Sequence, residues 1–185
     1  MKKLLILNEH HSVVPALKKL LVGESEIDYQ EYSGDLQDAA SYATYLQGVD
    51  WILTALGPND VDLDFEALFD GIDDVQPPIS HFVMLSYAGV DDELPVQPSY
   101  ENVKNLTEFI KQQRYAIKIV DESEIPYSII RVPKLIDRAN SKYQLFNEGE
   151  AMPNGEVSNE AVARLVLAAF KDNQLINRSV GIINA

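Results

Sequence analysis

The chain has 185 residues, of which 46% are hydrophobic, 24% are charged and none is cysteine. These values predict one folded domain over residues 1–185, and the lack of cysteine excludes disulfides, thiolate nucleophiles and cysteine-bound metals. A formal net charge of −14 argues against nucleic acid and anionic membranes as partners, because both recruit clustered Lys and Arg.

The amino terminus has only the beginning of a signal peptide. Lys2 and Lys3 precede the apolar residues 4–7, but polar residues follow at 8–11, and a signal core needs about 7–15 apolar residues. No stretch approaches the ~20 apolar residues that cross a bilayer. We therefore expect a cytoplasmic protein.

Short apolar runs predict the strands of a sheet. Several are continuous, as expected of strands buried on both faces. The predicted strands cover residues 3–7, 26–32, 51–56, 79–85, 127–132 and 179–183. The polar segment 137–155 is expected to form a long loop that holds at most a short strand.

Apolar residues at helical spacing separate these strands. The predicted helices cover residues 13–21 before Gly23, 39–46 before Gly48, 61–72 before Pro77, 103–120, and 162–169 after an N-cap at Ser158. The alternation of strands and helices predicts an α/β fold, with a parallel sheet covered by helices on both faces. Ligands bind such sheets beyond the carboxyl ends of the strands. The loops at that edge are residues 8–12, 32–36, 55–60, 86–93 and 133–137.

Four phrases occur in a characteristic order: Gly-Asp-Leu-Gln-Asp at 34–38, Trp-Ile-Leu-Thr-Ala-Leu-Gly at 51–57, Phe-Val-Met-Leu-Ser-Tyr-Ala-Gly-Val at 82–90 and Pro-Tyr-Ser-Ile-Ile-Arg-Val-Pro at 126–133. Together they resemble the atypical short-chain dehydrogenase/reductases of the NAD(P)H-binding, NmrA-like type. The resemblance implies a three-layer Rossmann-like domain, NAD(P) as cofactor and, for an enzyme, an oxidoreductase or epimerase/dehydratase-like reaction on a small carbonyl compound.

The glycine-rich turn of that family is replaced in this chain. Its three glycines, which let a dinucleotide diphosphate approach the backbone, map onto Asn8, His11 and Val14. The side chains of His11 and Val14 are expected to enter the diphosphate space, and Glu9 adds a negative charge there. The chain therefore resembles a degenerate member, in which binding of NAD(P) is weak, uses altered contacts, or is lost.

The sheet is expected to be shortened by about one strand–helix step. Only ten residues, 24–33, separate Gly23 from Gly34, whereas a strand–helix–strand unit needs roughly 30. The missing step normally supplies the residue that binds the adenosine ribose. Glu31 is the nearest substitute.

The family's proton-transfer pair is also missing. Active relatives use Tyr-x-x-x-Lys on the long helix, and those positions map onto Phe109 and Gln113, neither of which can act as an acid or base. Ser86, near the end of a central strand, is then the candidate catalytic residue. The alternative is a serine bonded to the adjacent backbone. Gln113, the polar member of an apolar stripe, is expected to line the crevice or to bond a neighbouring loop.

The candidate cofactor-binding residues lie in the loops at the carboxyl edge and are Asn8, His10, His11, Ser12, Asp35, Leu36, Ala55, Leu56, Gly57, Ser86 and Pro133. Asp35 either contacts an adenine amino group or caps a following helix. Gly57 either approaches a ligand or forms a plain turn. His10 and His11 could bind an anion, pair with Ser86 for hydrolysis, or hold a metal with Glu9; because adjacent histidines diverge, we assign no metal.

Two classes of function stay open. The first is a weak or altered oxidoreductase that binds a dinucleotide and a small carbonyl compound. The second is a non-catalytic ligand sensor or protein-interaction module on the same scaffold. Asp35, Gly57 and Ser86 favour the first, and the replaced glycines and missing Tyr/Lys pair favour the second. We expect a small molecule or a dinucleotide as the partner, with a homodimer as an option.

Overall fold

The computed structural model describes all residues, 1–185, and contains nine strands and four α-helices. The strands are β1 (Lys2–Asn8), β2 (Ile27–Glu31), β3 (Trp51–Ala55), β4 (His81–Tyr87), β5 (Tyr127–Val132), β6 (Lys134–Ile136), β7 (Tyr143–Asn147), β8 (Glu156–Ser158) and β9 (Arg178–Asn184). The helices are α1 (Val13–Leu21), α2 (Val61–Val75), α3 (Leu106–Glu122) and α4 (Asn159–Asp172). No helix is both long and apolar enough to cross a membrane.

Seven strands form the main sheet, in the order β2-β1-β3-β4-β5-β9-β7. All neighbours pair in parallel except β7 and β9, which are antiparallel. Because β2 and β3 lie on opposite sides of β1, the strand order reverses between β1 and β3. The predicted α/β sheet is confirmed, and it ends at β2 without an outer strand, as expected if one strand–helix step is missing.

Alternate strand residues face two separate apolar cores. Leu4 and Ile6 of β1 lie in the core beneath α1 and α4. Leu5 and Leu7 lie in the other core, beneath α2 and α3. Burial on both faces explains why the strands are continuous apolar runs rather than alternating ones.

The prediction of a helix at residues 39–46 is wrong. Only a short 3-10 turn forms, at Ala39–Tyr42, where the Asp38 carboxylate accepts the N–H of Ala40. Ser, Tyr and Thr are frequent in this segment and are weaker helix formers than Ala or Leu. Tyr42 is fully buried and its ring stacks on Tyr32 at 4.3 Å; this packing stabilises the turn.

Other elements differ from prediction in their bounds. β4 extends to Tyr87, so Ser86 lies inside the strand. Asn105 caps α3 by accepting the N–H of Glu108, and α3 therefore begins at Leu106 rather than at 103. The segment 137–155 contains β7, while β6 and β8 form a separate parallel ladder that no sequence pattern indicates. The predicted cap of α4 is confirmed, since the Ser158 hydroxyl oxygen accepts the N–H of Ala161.

Candidate functional site

A crevice of about 900 Å³ lies at the carboxyl ends of β1, β3, β4 and β5. This position, beside the reversal of strand order, is where open parallel sheets bind ligands. The segment between β4 and α3 forms its far wall with Ser99, Tyr100 and Lys104. The volume lies within the range of small-molecule and cofactor sites.

Six of the eleven candidate cofactor-binding residues line this crevice, namely His10, His11, Ser12, Gly57, Ser86 and Pro133. The other five, Asn8, Asp35, Leu36, Ala55 and Leu56, do not. Ala55 and Leu56 are buried in the two apolar cores, at 0% and 3% exposure. The lining also includes Tyr87 and Lys134, which lie in the predicted loops 86–93 and 133–137 but were not named as candidates. Tyr100 and Lys104 line it as well and lie outside every predicted loop.

The turn between β1 and α1 is held by hydrogen bonds within the chain. Asn8 Oδ1 accepts the backbone N–H of His11 at 2.8 Å. His11 Nδ1 accepts the backbone N–H of Val13 at 3.3 Å. Backbone N–H groups at this point bind phosphate in dinucleotide-binding proteins. Two of these donors are therefore already bonded within the chain. Their acceptors, Asn8 and His11, both stand at positions where the family has glycine.

Val14, at the third replaced glycine position, lies in the core and not in the crevice. Val14 is only 1% exposed and packs in the core beneath α1 and α4. It does not line the crevice, so the expectation that its side chain enters the diphosphate space is not met. An α-helix points its side chains to all sides, and the apolar face of α1 carries Val14 inward.

The two histidines have different environments. Burial lowers the pKa of His11 to about 4, so its ring is neutral at pH 7 and Nδ1 can accept from Val13. His10 is exposed and left-handed, with φ of 60°. Neither histidine is bonded to Ser86, whose hydroxyl has another partner. No three His, Asp or Glu side chains are placed to hold a metal ion. The hydrolase and metal alternatives therefore have no geometric support.

Glu9 connects β1 to β3 across the point where the strand order reverses. Its carboxylate oxygen Oε2 accepts the backbone N–H of Gly57 at 3.1 Å. Its own N–H donates to the carbonyl oxygen of Ala55 at 3.1 Å. Gly57 has φ of 102°, where a larger residue would be strained, and a Cβ there would lie 3.1 Å from Val61. The exposed carboxylate of Glu9 therefore occupies a backbone donor in the lining of the crevice.

Ser86 and Gln113 form a buried pair beneath the crevice. Ser86 is 2% exposed and Gln113 is 1% exposed. The Ser86 hydroxyl donates to Gln113 Oε1 at 2.9 Å, while Gln113 Nε2 has no partner. The proton of Ser86 is thus committed to α3 and not to the adjacent backbone. Gln113 is polar within an apolar stripe because it receives this bond.

Three aromatic rings form the wall beside Ser86. Tyr87 packs edge-on against Tyr100 at 4.9 Å and against Phe109 at 5.0 Å between ring centroids. The Tyr100 hydroxyl donates to the carbonyl oxygen of Ala88 at 2.7 Å. The Tyr87 hydroxyl has no partner within the chain and is not sealed from solvent. Burial, with a smaller contribution from the charge of Glu9, raises the pKa of Tyr87 to about 12. Tyr87 therefore stays protonated and can donate to a ligand.

Asp35 is engaged in its own turn. Its carboxylate accepts the backbone N–H of Gln37 at 2.9 Å, and its carbonyl oxygen accepts the Tyr32 hydroxyl at 2.7 Å. It caps local backbone, although no helix begins at Leu36. Glu31, the nearest substitute for a ribose-binding acid, forms an ion pair with Lys18. The adenosine end of the predicted site is thus separate from the crevice.

Comparison with known proteins assigns the family. The model of the NAD(P)H-binding family matches residues 18–173, which excludes the turn at 8–14. The chain belongs to this NAD(P)H-binding family, and its fold is that of the short-chain dehydrogenase/reductases, as the sequence phrases predict.

Solved structures agree on the fold. A short-chain dehydrogenase/reductase from Veillonella parvula matches with a TM-score of 0.82 and 17% identity, over 99% of this chain and 94% of that chain. A structure of a wide-type short-chain dehydrogenase/reductase from that organism, in complex with NADP, has a TM-score of 0.78 at 17% identity, over 99% and 94% of the two chains. ChuY, an anaerobillin reductase from Escherichia coli O157:H7, matches with a TM-score of 0.79 and 18% identity, over 99% and 97%. A search of curated proteins finds no match.

Proposed function

We propose that the crevice binds NAD(P)(H) weakly, by altered contacts, and serves an oxidoreductase reaction on a small carbonyl compound. The observation that carries the proposal is the position of the crevice. A space of about 900 Å³ opens beside the reversal of strand order, in a chain of the NAD(P)H-binding family. The negative charge of the chain supports a small molecule rather than nucleic acid or an anionic membrane as the partner. A cytoplasmic location and a homodimer stay predictions.

The start of α1 does not fit a diphosphate as it stands. The N–H groups of His11 and Val13 are already bonded within the chain. Glu9 is bonded to Gly57 and brings a negative charge to the same region. Binding of a dinucleotide therefore requires other donors, and the exposed side chains of Lys104 and Lys134 on the crevice wall supply positive charge for that purpose.

Tyr87 supports the oxidoreductase form of the proposal. A protonated hydroxyl that is accessible from the crevice can donate to the carbonyl oxygen of a bound ligand. Ser86 is less suited, because its proton is held by Gln113. We therefore rank Tyr87 above Ser86 as the ligand-directed donor.

A non-catalytic ligand sensor or interaction module is the second candidate. The self-bonded turn favours it, since this turn leaves no free diphosphate cradle. Phe109 and Gln113 favour it as well: Phe109 is packed against Tyr87 and Gln113 is bonded to Ser86, and neither faces the crevice as an acid or base.

Titration of the protein with NADPH and NADH tests the proposal, followed by nicotinamide fluorescence and thermal shift. A ligand at 100 times its dissociation constant should stabilise the fold by about 2.7 kcal/mol. Ser99→Trp, which fills the crevice from its far wall, should abolish binding, whereas Ser141→Trp, outside the crevice, should not. No response to millimolar dinucleotide would contradict the first candidate and favour the second.

A further inference from the structure

Glu9 is the only carboxylate that bonds a backbone donor at the reversal point between β1 and β3. Its partner, the N–H of Gly57, lies 3.1 Å from Oε2. Both residues line the crevice, and both neighbouring loops begin at adjacent strand ends, Asn8 and Ala55, which pair in the sheet. The carboxylate is thus held in place rather than moving freely in solvent.

The charge of Glu9 reaches other groups of the site. It is one of the causes that raise the pKa of Tyr87 in the crevice and of Asp64 in α2. The other charged groups that line the crevice are Glu101, Lys104 and Lys134, all with exposed side chains on its far wall or mouth. Those three are free to move away from a ligand, whereas Glu9 is bonded to the backbone.

An anionic ligand group would meet two obstacles at this point. It could not take the N–H of Gly57, because Glu9 already bonds this donor. It would also lie beside a like charge, although Glu9 is exposed and solvent and salt screen part of this repulsion. A neutral ligand group would meet only the first obstacle.

We propose that Glu9 is a specificity-determining residue, which acts as a built-in anion on Gly57 and selects against ligands that carry a diphosphate. The inference rests on the proposed function, in that it concerns the same crevice. It adds that the crevice binds ligands without phosphate in preference to intact dinucleotides. The charge of Glu9 then weakens dinucleotide binding in addition to the bonded N–H groups of the turn before α1.

Two substitutions separate the charge from the hydrogen bond. Glu9→Gln keeps an oxygen that can accept from Gly57 and removes the charge, whereas Glu9→Ala removes both. Asp70→Asn, on the exposed side of α2, makes the same change in net charge outside the crevice. The probes are NADPH, which carries a diphosphate, and reduced nicotinamide riboside, which has the same reduced ring and no phosphate, measured by calorimetry at low and high salt.

We expect Glu9→Gln to raise the affinity for NADPH about tenfold and that for reduced nicotinamide riboside less than about twofold, because only NADPH carries phosphate charge for Glu9 to repel. Glu9→Ala should raise NADPH affinity at least as much, because it also frees the N–H of Gly57. The gain should shrink at high salt, since screening weakens the repulsion. Asp70→Asn should change neither affinity.

Equal NADPH affinities in the wild type and both Glu9 variants would overturn the inference, as would equal gains for the two probes. These outcomes can be told apart from failure of the proposed function. The proposed function is tested by dinucleotide binding to the wild type alone, whereas the role of Glu9 is tested by the difference between the wild type and its variants. A wild type that ignores NADPH, together with a Glu9→Gln protein that binds it, would contradict the proposed function and support the role of Glu9.

Discussion

Gln113 on α3 accepts the hydroxyl proton of Ser86 on β4 across 2.9 Å, beneath the floor of the crevice. This bond joins the helix that covers one face of the sheet to the strand end that lines the ligand space. It also changes the interpretation of Ser86, since a hydroxyl with a committed proton anchors α3 rather than facing a ligand.

A double-mutant cycle should show strong coupling between these two residues. Ser86→Ala leaves Gln113 Oε1 buried without a donor, and we expect a loss of about 1–2 kcal/mol of unfolding free energy. Gln113→Leu leaves the Ser86 hydroxyl without an acceptor. The double variant should lose less unfolding free energy than the sum of the two single losses, because neither partner of the hydrogen bond is left unpaired. Denaturant unfolding measures all four proteins, and strict additivity would contradict the pairing.

Freeing the turn before α1 should strengthen dinucleotide binding. Asn8→Gly together with His11→Gly removes the acceptors that hold the N–H groups of His11 and Val13, and we expect NADPH affinity to rise about tenfold. His10→Gly is the matched control, because it relieves a left-handed residue without freeing either donor. Calorimetry compares the variants; a gain in the control alone would show that backbone freedom and not the freed donors matters.

The buried carboxyl of Asp64 should make stability depend on pH. Burial raises its pKa from 3.8 to about 6, and Gln37 donates to it at 3.2 Å. The carboxyl of Asp64 thus binds its proton more tightly in the folded state than in the unfolded state. Its contribution to the free energy of unfolding is complete below pH 3.8 and is lost as pH rises through about 6. Asp64→Asn keeps the bond to Gln37 and should stabilise the protein at pH 8, by on the order of 2 kcal/mol, but not at pH 3.5.

Unfolding curves of Asp64→Asn at the two pH values check this expectation. Asp70→Asn, on the same helix but exposed, should change the free energy of unfolding by the same amount at pH 8 and at pH 3.5. A gain at pH 8 that persists undiminished at pH 3.5 would show that the carboxyl of Asp64 is not the titrating group.

A buried ion pair joins β5 to the segment that follows β4. Arg131, which has no exposure, lies 2.8 Å from Glu93 and 3.3 Å from Asp91. Glu93 also accepts the N–H of Gly89 at 2.9 Å. Because one partner of a buried pair is costly to remove, Glu93→Gln should destabilise the fold by about 3 kcal/mol.

Asp92→Asn provides the comparison for that variant, since Asp92 pairs with Arg114 at the surface, and its loss should cost less than about 1 kcal/mol. Chemical denaturation followed by the fluorescence of Trp51 measures both. Similar losses for the two variants would contradict the structural role of the buried pair.

The sheet could be predicted from sequence because its strands carry their signal locally. The strand at Tyr127–Val132 matches the prediction at both ends, since its four apolar residues lie between Pro126 and Pro133, which bound the strand. β7 is different: it lies at the sheet edge and its five residues are half-buried or exposed, so its apolar signal is weak. β6 and β8 have three residues each, too few to show a period.

The crevice residues could be predicted in part. Strand ends indicate which loops meet, and this placed His10, Gly57 and Ser86 together. The bonds that close the site depend on contacts between distant residues, such as Glu9 with Gly57 and Ser86 with Gln113. A single sequence contains no signal for such pairs. Tyr87 lies in the predicted loop 86–93 but was not named as a candidate, because no sequence signal shows that its hydroxyl lacks a partner within the chain.

The shortened sheet has one further consequence, at its border. With no outer strand, β2 presents unpaired backbone groups along one side, a geometry that invites another chain to add to the sheet. Asp28 lies exposed on this five-residue strand, so two copies meeting there would bring like charges together. Repulsion between these carboxylates thus opposes the pairing of two molecules along the open edge of the sheet.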